Sequence, residues 1–471
     1  MPAHPSARRA RRVRRLLAAL LGVTLAAPLL NGGSAAPDHR TRLSPTAVDQ
    51  AAAATRPMPG RMTGYVFDQC QAPSQEEMDA WWESSPYRGI GIYIAGDNRF
   101  CKDQANLDAT WVRTQARRGW ALFPIVVGRQ ASCSAVERYA GRRISPRPAG
   151  DYAAARTQAA QEARAAVDAA RALGIGERSV LWFDLEAFPT TRARCRESAL
   201  AFLSAWTTQV RRLGYRSGVY SSAASGIALL DRARRAGQHT MPDRIWVAEW
   251  RPAKGYRVPP TANPPTFAST FYDHAWWSAR GRVMRQYRGD HDERHGGVRI
   301  NIDTNYAVLG AGTRVPRPSK TCRRLIEQPR YRPWRRGDVD RQVRTAQCLL
   351  RVQGHYRPAR LRSKFTARTE VAVRRFQESV GLRAHGRLTR ATWVALLSAG
   401  PGPVSKYGSG SHAVRRLQRA LKVAGSPRLP VTGFYGFETT RAVRTYQRRV
   451  GLPVTGVADT ATWLALRSGR R

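Results

Sequence analysis

Asp184 and Glu186 end the apolar, strand-length stretch Ser179–Ala187 with a single residue between them. In a β-strand successive side chains point to opposite faces, so the two carboxylates share a face while Phe183 and Leu185 take the other. Two acids on one face suit acid chemistry at a glycosidic bond, where one carboxyl is held protonated while another stays ionised. A solvated strand end would give the same pattern. The surrounding elements decide between the two.

Short β-type runs recur with helical patterns between them. The strands are predicted at 64–68, 89–95, 121–127, 179–184, 216–220, 244–248, 282–287 and 298–303, and the helices at 75–83, 107–118, 151–173, 195–213 and 225–236. Eight strands alternating with helices over roughly 250 residues are what a closed α/β barrel of (β/α)8 type requires. An open doubly wound sheet would carry a Gly-rich phosphate turn after its first strand, and none is present. The connection 251–280 is rich in Pro and aromatics, so the last two units are the least regular. In such barrels chemistry sits at the C-terminal strand ends. Asp68 ends the first run, Asp184 and Glu186 the fourth and Asp303 the eighth, which puts four acids on one rim.

The chain of 471 residues carries 79 basic and 33 acidic residues, a formal net charge of +46. Such a surface associates with polyanions, whether nucleic acid, anionic lipid or an anionic wall polymer. The N-terminus narrows the choice. The basic cluster Arg8–Arg15, the apolar run Leu16–Leu30 and the small residues Gly32–Ala36 follow the order of a secretory signal peptide, with twin arginines that permit Tat as well as Sec export. The apolar run is broken by Pro28 and is shorter than the roughly 20 residues a membrane span needs. The expectation is an exported, monomeric mature chain without a stable span, associated with the cell wall rather than with nucleic acid. The predicted division is 1–36 signal peptide, 37–60 linker, 61–311 barrel, 312–333 linker, and two helical units at 334–399 and 404–468.

Six cysteines suit an oxidising compartment, and none forms a CxxC motif. Cys322 is expected to pair with Cys348, with Cys70, Cys101, Cys133 and Cys195 pairing among themselves in an order left open. Each of these four follows one of strands one to four, so their bridges would staple loops around the acid-bearing rim. His291–His295 is read as a polar connection rather than a metal site, and neither a metal nor another cofactor is expected.

The two C-terminal units are copies of one module. Arg344–Leu350 aligns with Arg415–Leu421, Val373–Gln377 with Val443–Gln447, Gly381-Leu382 with Gly451-Leu452 and Thr392-Trp393 with Thr462-Trp463, at an offset of 70 to 71 throughout. Each copy reads as three short helices joined by Gly turns. The aromatic and Gln positions Phe376, Gln377, Trp393, Tyr446, Gln447 and Trp463 have the spacing of a helical core. The first copy has Ser363 and Thr366 where the second has the turn glycines Gly433 and Gly436.

Several segments carry a family resemblance. Gly64–Pro73, Gly91–Gly96, Phe123–Gln130, Trp182–Glu186 and Ile302–Asn305 together resemble the secreted glycoside-hydrolase-like barrel domain of actinobacterial proteins. That domain is itself similar to the family 25 glycoside hydrolases, the muramidase lysozymes. The repeated units resemble the helical peptidoglycan-binding domain. The resemblance implies a secreted wall glycosidase tethered to peptidoglycan. Glu186 would be the general acid, and Asp184 would stabilise the oxocarbenium-like centre or position a substrate acetamido group. Asp68 and Asp303 would be supporting acids, while Tyr220, Trp250, Gln286 and Tyr287 would line the groove. In the helical copies, ligand would be read by the Gly-rich turn around Tyr435 and by exposed Arg residues, whose guanidinium forks suit the carboxylates of stem peptides. The alternative is a wall-binding protein whose barrel holds glycan without cleaving it.

Overall fold

The computed structural model describes residues 55–250, 269–310, 313–317, 320 and 322–471. The predicted signal peptide and most of the first linker lie outside the described residues. Eight strands close a barrel in chain order: β1 (Met62–Asp68), β2 (Tyr87–Ala95), β3 (Ala121–Val126), β4 (Val180–Asp184), β5 (Arg216–Ser222), β6 (Arg244–Ala248), β7 (Arg282–His295) and β8 (Val298–Leu309). Between them run α1 (Gln75–Ser84), α2 (Ala109–Arg118), α3 (Ala149–Ala172), α4 (Ala193–Arg212), α5 (Ala228–Arg235) and the short α6 (His274–Ala279).

The barrel departs from an all-parallel one at its closure. Strands β1 to β7 run parallel, but β8 is antiparallel to both β7 and β1. The cause is local. Parallel neighbours need a crossover of a dozen or more residues, and only Gly296 and Gly297 separate β7 from β8. Both glycines have positive φ, 59° and 86°, as a two-residue hairpin turn requires. Asp303 therefore lies within β8, directly opposite Asp68, and reaches the same rim that an ending strand would have given it.

Two apolar layers hold the barrel. The lumen is filled by Val66, Phe123, Ile125, Trp182, Trp246 and Met284, and the outer layer packs Phe67, Trp81, Phe183, Leu185, Phe202 and Trp206 between strands and helices. Two inward glycines make room for the bulk. A Cβ on Gly218 would stand 2.4 Å from the Trp182 ring, and one on Gly91 would stand 2.6 Å from the Asp68 Cβ. Disulfides join Cys70 to Cys101 and Cys133 to Cys195, which settles the pairing left open by the sequence, and Cys322 to Cys348 forms as expected. In the loop-entropy model each bridge stabilises the fold by about 3 to 4 kcal/mol.

The helical copies consist of α8 (Arg341–Val352), α9 (Ala367–Ser379) and α10 (Arg390–Ser398), then α11 (His412–Ala424), α12 (Phe437–Arg449) and α13 (Thr460–Arg467); α7 (Arg323–Ile326) precedes them. They share one apolar core. Their repeated glutamines are buried clamps. Gln377 donates to Thr392 Oγ1 and the Arg387 carbonyl and accepts from the Gly386 amide; Gln447 repeats this with Thr462, Val457 and Gly456. A buried amide with both ends satisfied fixes the turn it spans, which accounts for the recurrence of Gln with Thr-Trp in the motif.

The second copy is seated on the barrel at the strand ends opposite the acids. Tyr407 packs against Tyr65 and Tyr306, its hydroxyl 3.0 Å from that of Tyr306. Gly408 accepts hydrogen bonds from Arg88 and Thr313, and a Cβ there would stand 1.9 Å from the Thr63 carbonyl oxygen. The Lys406 ammonium is buried beneath Trp82 and Trp120, donating to the carbonyls of Trp82 and Tyr87. The described ends of both predicted linkers are also packed. Met58 hydrogen-bonds Ser179 and Val180, and Thr313 bridges Thr63 to Gly408. Lys406→Glu would set a carboxylate against two carbonyl oxygens in this buried seat. We expect it to cost about 3 kcal/mol or more in chemical denaturation, with new protease cleavage near 398–403 as the docked copy loosens.

Candidate active site

The four predicted acids line one cavity of about 590 Å3 at the barrel mouth. Asp68 and Asp184 are buried, 3% and 6% exposed, while Glu186 and Asp303 are half-buried. Strand alternation places them. Asp68 continues the inward row of Val66, and Asp184 that of Trp182, while Leu185 turns outward into the helical layer. Glu186 lies past the end of β4, where Gln130 holds the backbone: its Nε2 donates to the Asp184 carbonyl at 2.7 Å and its Oε1 accepts from the Glu186 amide at 2.8 Å.

A relay of neutral donors orients the acids from behind. The Trp246 indole donates to Asn305 Oδ1 at 2.8 Å, which fixes the amide so that Asn305 Nδ2 donates to Asp68 Oδ1 at 2.7 Å. Tyr93 donates to Asp68 Oδ2 at 3.1 Å. Gln286 Nε2 donates to Asp303 Oδ2 at 3.0 Å, and the Asp290 amide to Asp303 Oδ1 at 2.7 Å. Gln286 Oε1 in turn accepts from the Tyr220 hydroxyl at 2.8 Å and the Trp250 indole at 3.1 Å. Asp184 Oδ1 is buried and has no hydrogen-bond partner among the described residues.

All four carboxyls are pushed above the usual range. Burial drives each shift. For Asp68 the Asp303 charge adds to it against the donors Asn305 and Tyr93, and its pKa is raised to about 8. Asp184 is raised well above its ordinary value by burial, with Glu186 and Asp68 adding repulsion. Glu186 is raised by burial, opposed by Arg138, and Asp303 by burial, opposed by the Asp290 amide and His291. A site of this kind keeps part of its carboxyl population protonated where isolated acids would be ionised.

Of the groove residues read from the sequence, Tyr220 and Gln286 face the lumen and buttress Asp303, and Trp250 stands half exposed beside Gln286 at the rim. Tyr287 does not line the groove. It alternates with Gln286 and packs outward against the helical layer. Tyr435 is also corrected: its ring is fully buried and its hydroxyl donates to the Gly456 carbonyl, leaving no face for a ligand. Sequence reasoning passed over Tyr93, Asn305, Gln130 and Arg138. The parity of Tyr93 with Gly91, and of Asn305 with Asp303, was the available signal for two of them. Phe100, 83% exposed on the loop held by Cys101, stands at the cavity wall beside Arg138. No cluster of histidines, cysteines and acids able to hold a metal ion occurs among the described residues.

Residues 79–307 match the family model of the Rv2525c-like, glycoside hydrolase-like domain, and residues 340–396 and 411–466 each match that of a peptidoglycan binding domain. The first match begins after β1 and so leaves out Asp68. No curated protein matches the chain in sequence. Among solved structures, an uncharacterized B. stearothermophilus protein is 19% identical, covering 52% of this chain and 95% of its own, with a TM-score of 0.33. The Mycobacterium tuberculosis Tat-secreted protein Rv2525c, in complex with L-tartrate, is 13% identical over 53% of this chain and 97% of its own, with a TM-score of 0.35. The modular autolysin LytC from Streptococcus pneumoniae is 12% identical over 52% of this chain and 46% of its own, at 0.30.

Burying Asp68 with a pKa near 8 has a thermodynamic sign. Unfolded, the group releases its proton near 3.8, so between about pH 4 and 8 the folded state holds more protons than the unfolded one. The stability this group contributes is full below that window and is lost as pH rises through it. Asp68→Asn should therefore gain stability over wild type progressively from pH 4 to 8, by at most about 1.4 kcal/mol per pH unit, and level off above. Urea denaturation of both proteins at pH 5 and pH 8 checks this; a difference independent of pH would show that Asp68 titrates normally.

Proposed function

We propose that this chain, whose residues 79–307 match the Rv2525c-like, glycoside hydrolase-like domain and whose C-terminal copies match the peptidoglycan binding domain, is a secreted, wall-associated glycoside hydrolase that cleaves peptidoglycan glycan strands. The observation that carries the reading is the convergence of four upshifted carboxyls on one cavity large enough for sugar rings.

Glu186 is the general acid in this reading. It is half-buried at the rim, where a glycosidic oxygen can reach it, and burial raises its pKa, which favours the protonated form. The bond to the leaving sugar then breaks as that proton transfers, positive charge develops on the ring left behind, and water adds to its charged carbon and gives up a proton that restores the carboxyl. Asp184 stabilises that oxocarbenium-like centre or holds an acetamido N–H, for which its unpartnered Oδ1 is suited. Asp303 raises the pKa of Glu186 and Asp68 that of Asp184 by like-charge proximity, and both hold sugar hydroxyls. Phe100 offers a ring face to a sugar at the wall of the cavity. The helical copies keep the barrel on a polymeric substrate, where a tether raises the effective concentration of the catalytic domain.

Release of reducing ends from purified peptidoglycan tests the reading, and Glu186→Gln should lower the rate by about 10²- to 10⁴-fold while binding persists. A wild-type chain that binds but releases none from varied peptidoglycans would instead establish a glycan-holding barrel. The pH profile gives a second check. Activity requires protonated Glu186 and falls as pH rises through its raised pKa. Asp303 adds to that upshift after burial, so Asp303→Asn should move the alkaline limb to lower pH.

A further inference from the structure

The first helical copy contains a cavity of about 550 Å3 that plays no part in the barrel chemistry. Tyr356, Val371 and Ala372 form its apolar lining, and Arg357, Arg368 and Arg375 stand around it. The three arginines are exposed, and none meets a hydrogen-bond acceptor or an acid among the described residues. Neighbouring arginines are engaged differently: Arg351 donates to the Pro358 and Ala359 carbonyls and Arg374 pairs with Glu370. Three unpaired guanidiniums beside an apolar floor leave planar donor forks without a partner.

The second copy lacks this arrangement. At the repeat offset, Arg368 and Arg375 are replaced by Glu438 and Thr445, and Ala367 by Phe437. Phe437 leans on Tyr407, 4.8 Å between ring centroids, in the segment that seats the second copy on the barrel. The duplicated module has therefore diverged: one copy joins the barrel, and the other keeps its cationic groove open.

We infer that the groove of the first copy binds the carboxylate-bearing peptide of peptidoglycan, and that the second copy does not share this site. Arg368 and Arg375 take the carboxylate as bidentate forks, and Tyr356, Val371 and Ala372 take the adjoining alkyl groups. The apolar floor favours a peptide over a phosphodiester polymer, which presents charge without such side chains. The inference rests on the wall-tethering half of the proposed function and not on cleavage.

The test is sedimentation of the full mature chain with purified peptidoglycan freed of phosphate-bearing polymers by acid extraction. Arg368→Glu/Arg375→Glu should weaken binding about tenfold or more, as loss of charge-assisted hydrogen bonds to a carboxylate implies. Arg428→Glu/Arg441→Glu, the same charge change on the second copy, should stay within about twofold of wild type, and Arg368→Lys/Arg375→Lys should fall between the two, since lysine keeps the charge but not the planar fork. Thermal unfolding of each variant confirms that it folds. Amidating the peptide carboxylates of the peptidoglycan should abolish the difference between wild type and the first variant. The inference is overturned if that variant binds like wild type, if both Glu variants lose equally, if the difference survives amidation, or if it appears only on walls that retain phosphate polymers. Binding is read without cleavage, so an inactive barrel would overturn the hydrolase reading and leave this one standing.

Discussion

Four carboxyl groups around one cavity repel each other, and much of the barrel mouth exists to hold them there. Asp68 and Asp303 face each other across the seam between β1 and β8, a pairing that would be avoided on an ordinary sheet surface. Burial and repulsion raise their pKa values, while Asn305, Tyr93, Gln286 and the Asp290 amide donate hydrogen bonds that limit the cost. Two of these donors are held in turn, Asn305 by the Trp246 indole and Gln286 by the Tyr220 hydroxyl and the Trp250 indole, which donate to its carbonyl oxygen. Neutral donors suit the task, because a buried cation in their place would pull the carboxyls back to full ionisation.

The antiparallel closure serves that arrangement. Because β8 runs against β1, Asp303 and Asn305 lie within a strand paired on both sides rather than at its frayed end. The two disulfides then restrain the loops that rise above the acids, one at the first two strands and the other between the third and fourth. Precise placement of a repelling cluster needs support from the sheet below and from the loops above.

Much of this was legible in the sequence, for reasons that also mark where legibility ends. The shared face of Asp184 and Glu186 follows from the two-residue period of a strand, and the same period separates Gln286, which faces the cavity, from Tyr287, which does not. Asp303 was assigned to the right rim on the premise of a parallel strand ending there; Gly296-Gly297 was the contrary signal, since so short a loop permits only a hairpin. Tyr435 looked like a reader of ligand because it sits among turn glycines, yet that turn wraps around it as core. Contacts such as Trp246 to Asn305, or Asn305 to Asp68, depend on register between strands far apart in the chain, and local pattern carries no record of register.

Lys406 shows the same limit at larger scale. Its neighbours Ser405 and Gly408 mark a turn, and one of six lysines in an Arg-rich chain invites the reading of a solvated surface charge. Instead burial pushes its ammonium well below the usual lysine value, with Arg88 adding repulsion. Two carbonyl acceptors and two indole faces hold it there. Arginine would not serve, since its longer planar head could not satisfy all its donors in a seat built for one point charge. A lysine retained in a chain that otherwise uses arginine is thus consistent with the geometry of the seat, and the seat fixes one of two similar modules to the barrel. The other module is left to meet the polymer, so duplication here yields two different surfaces rather than two equal grips.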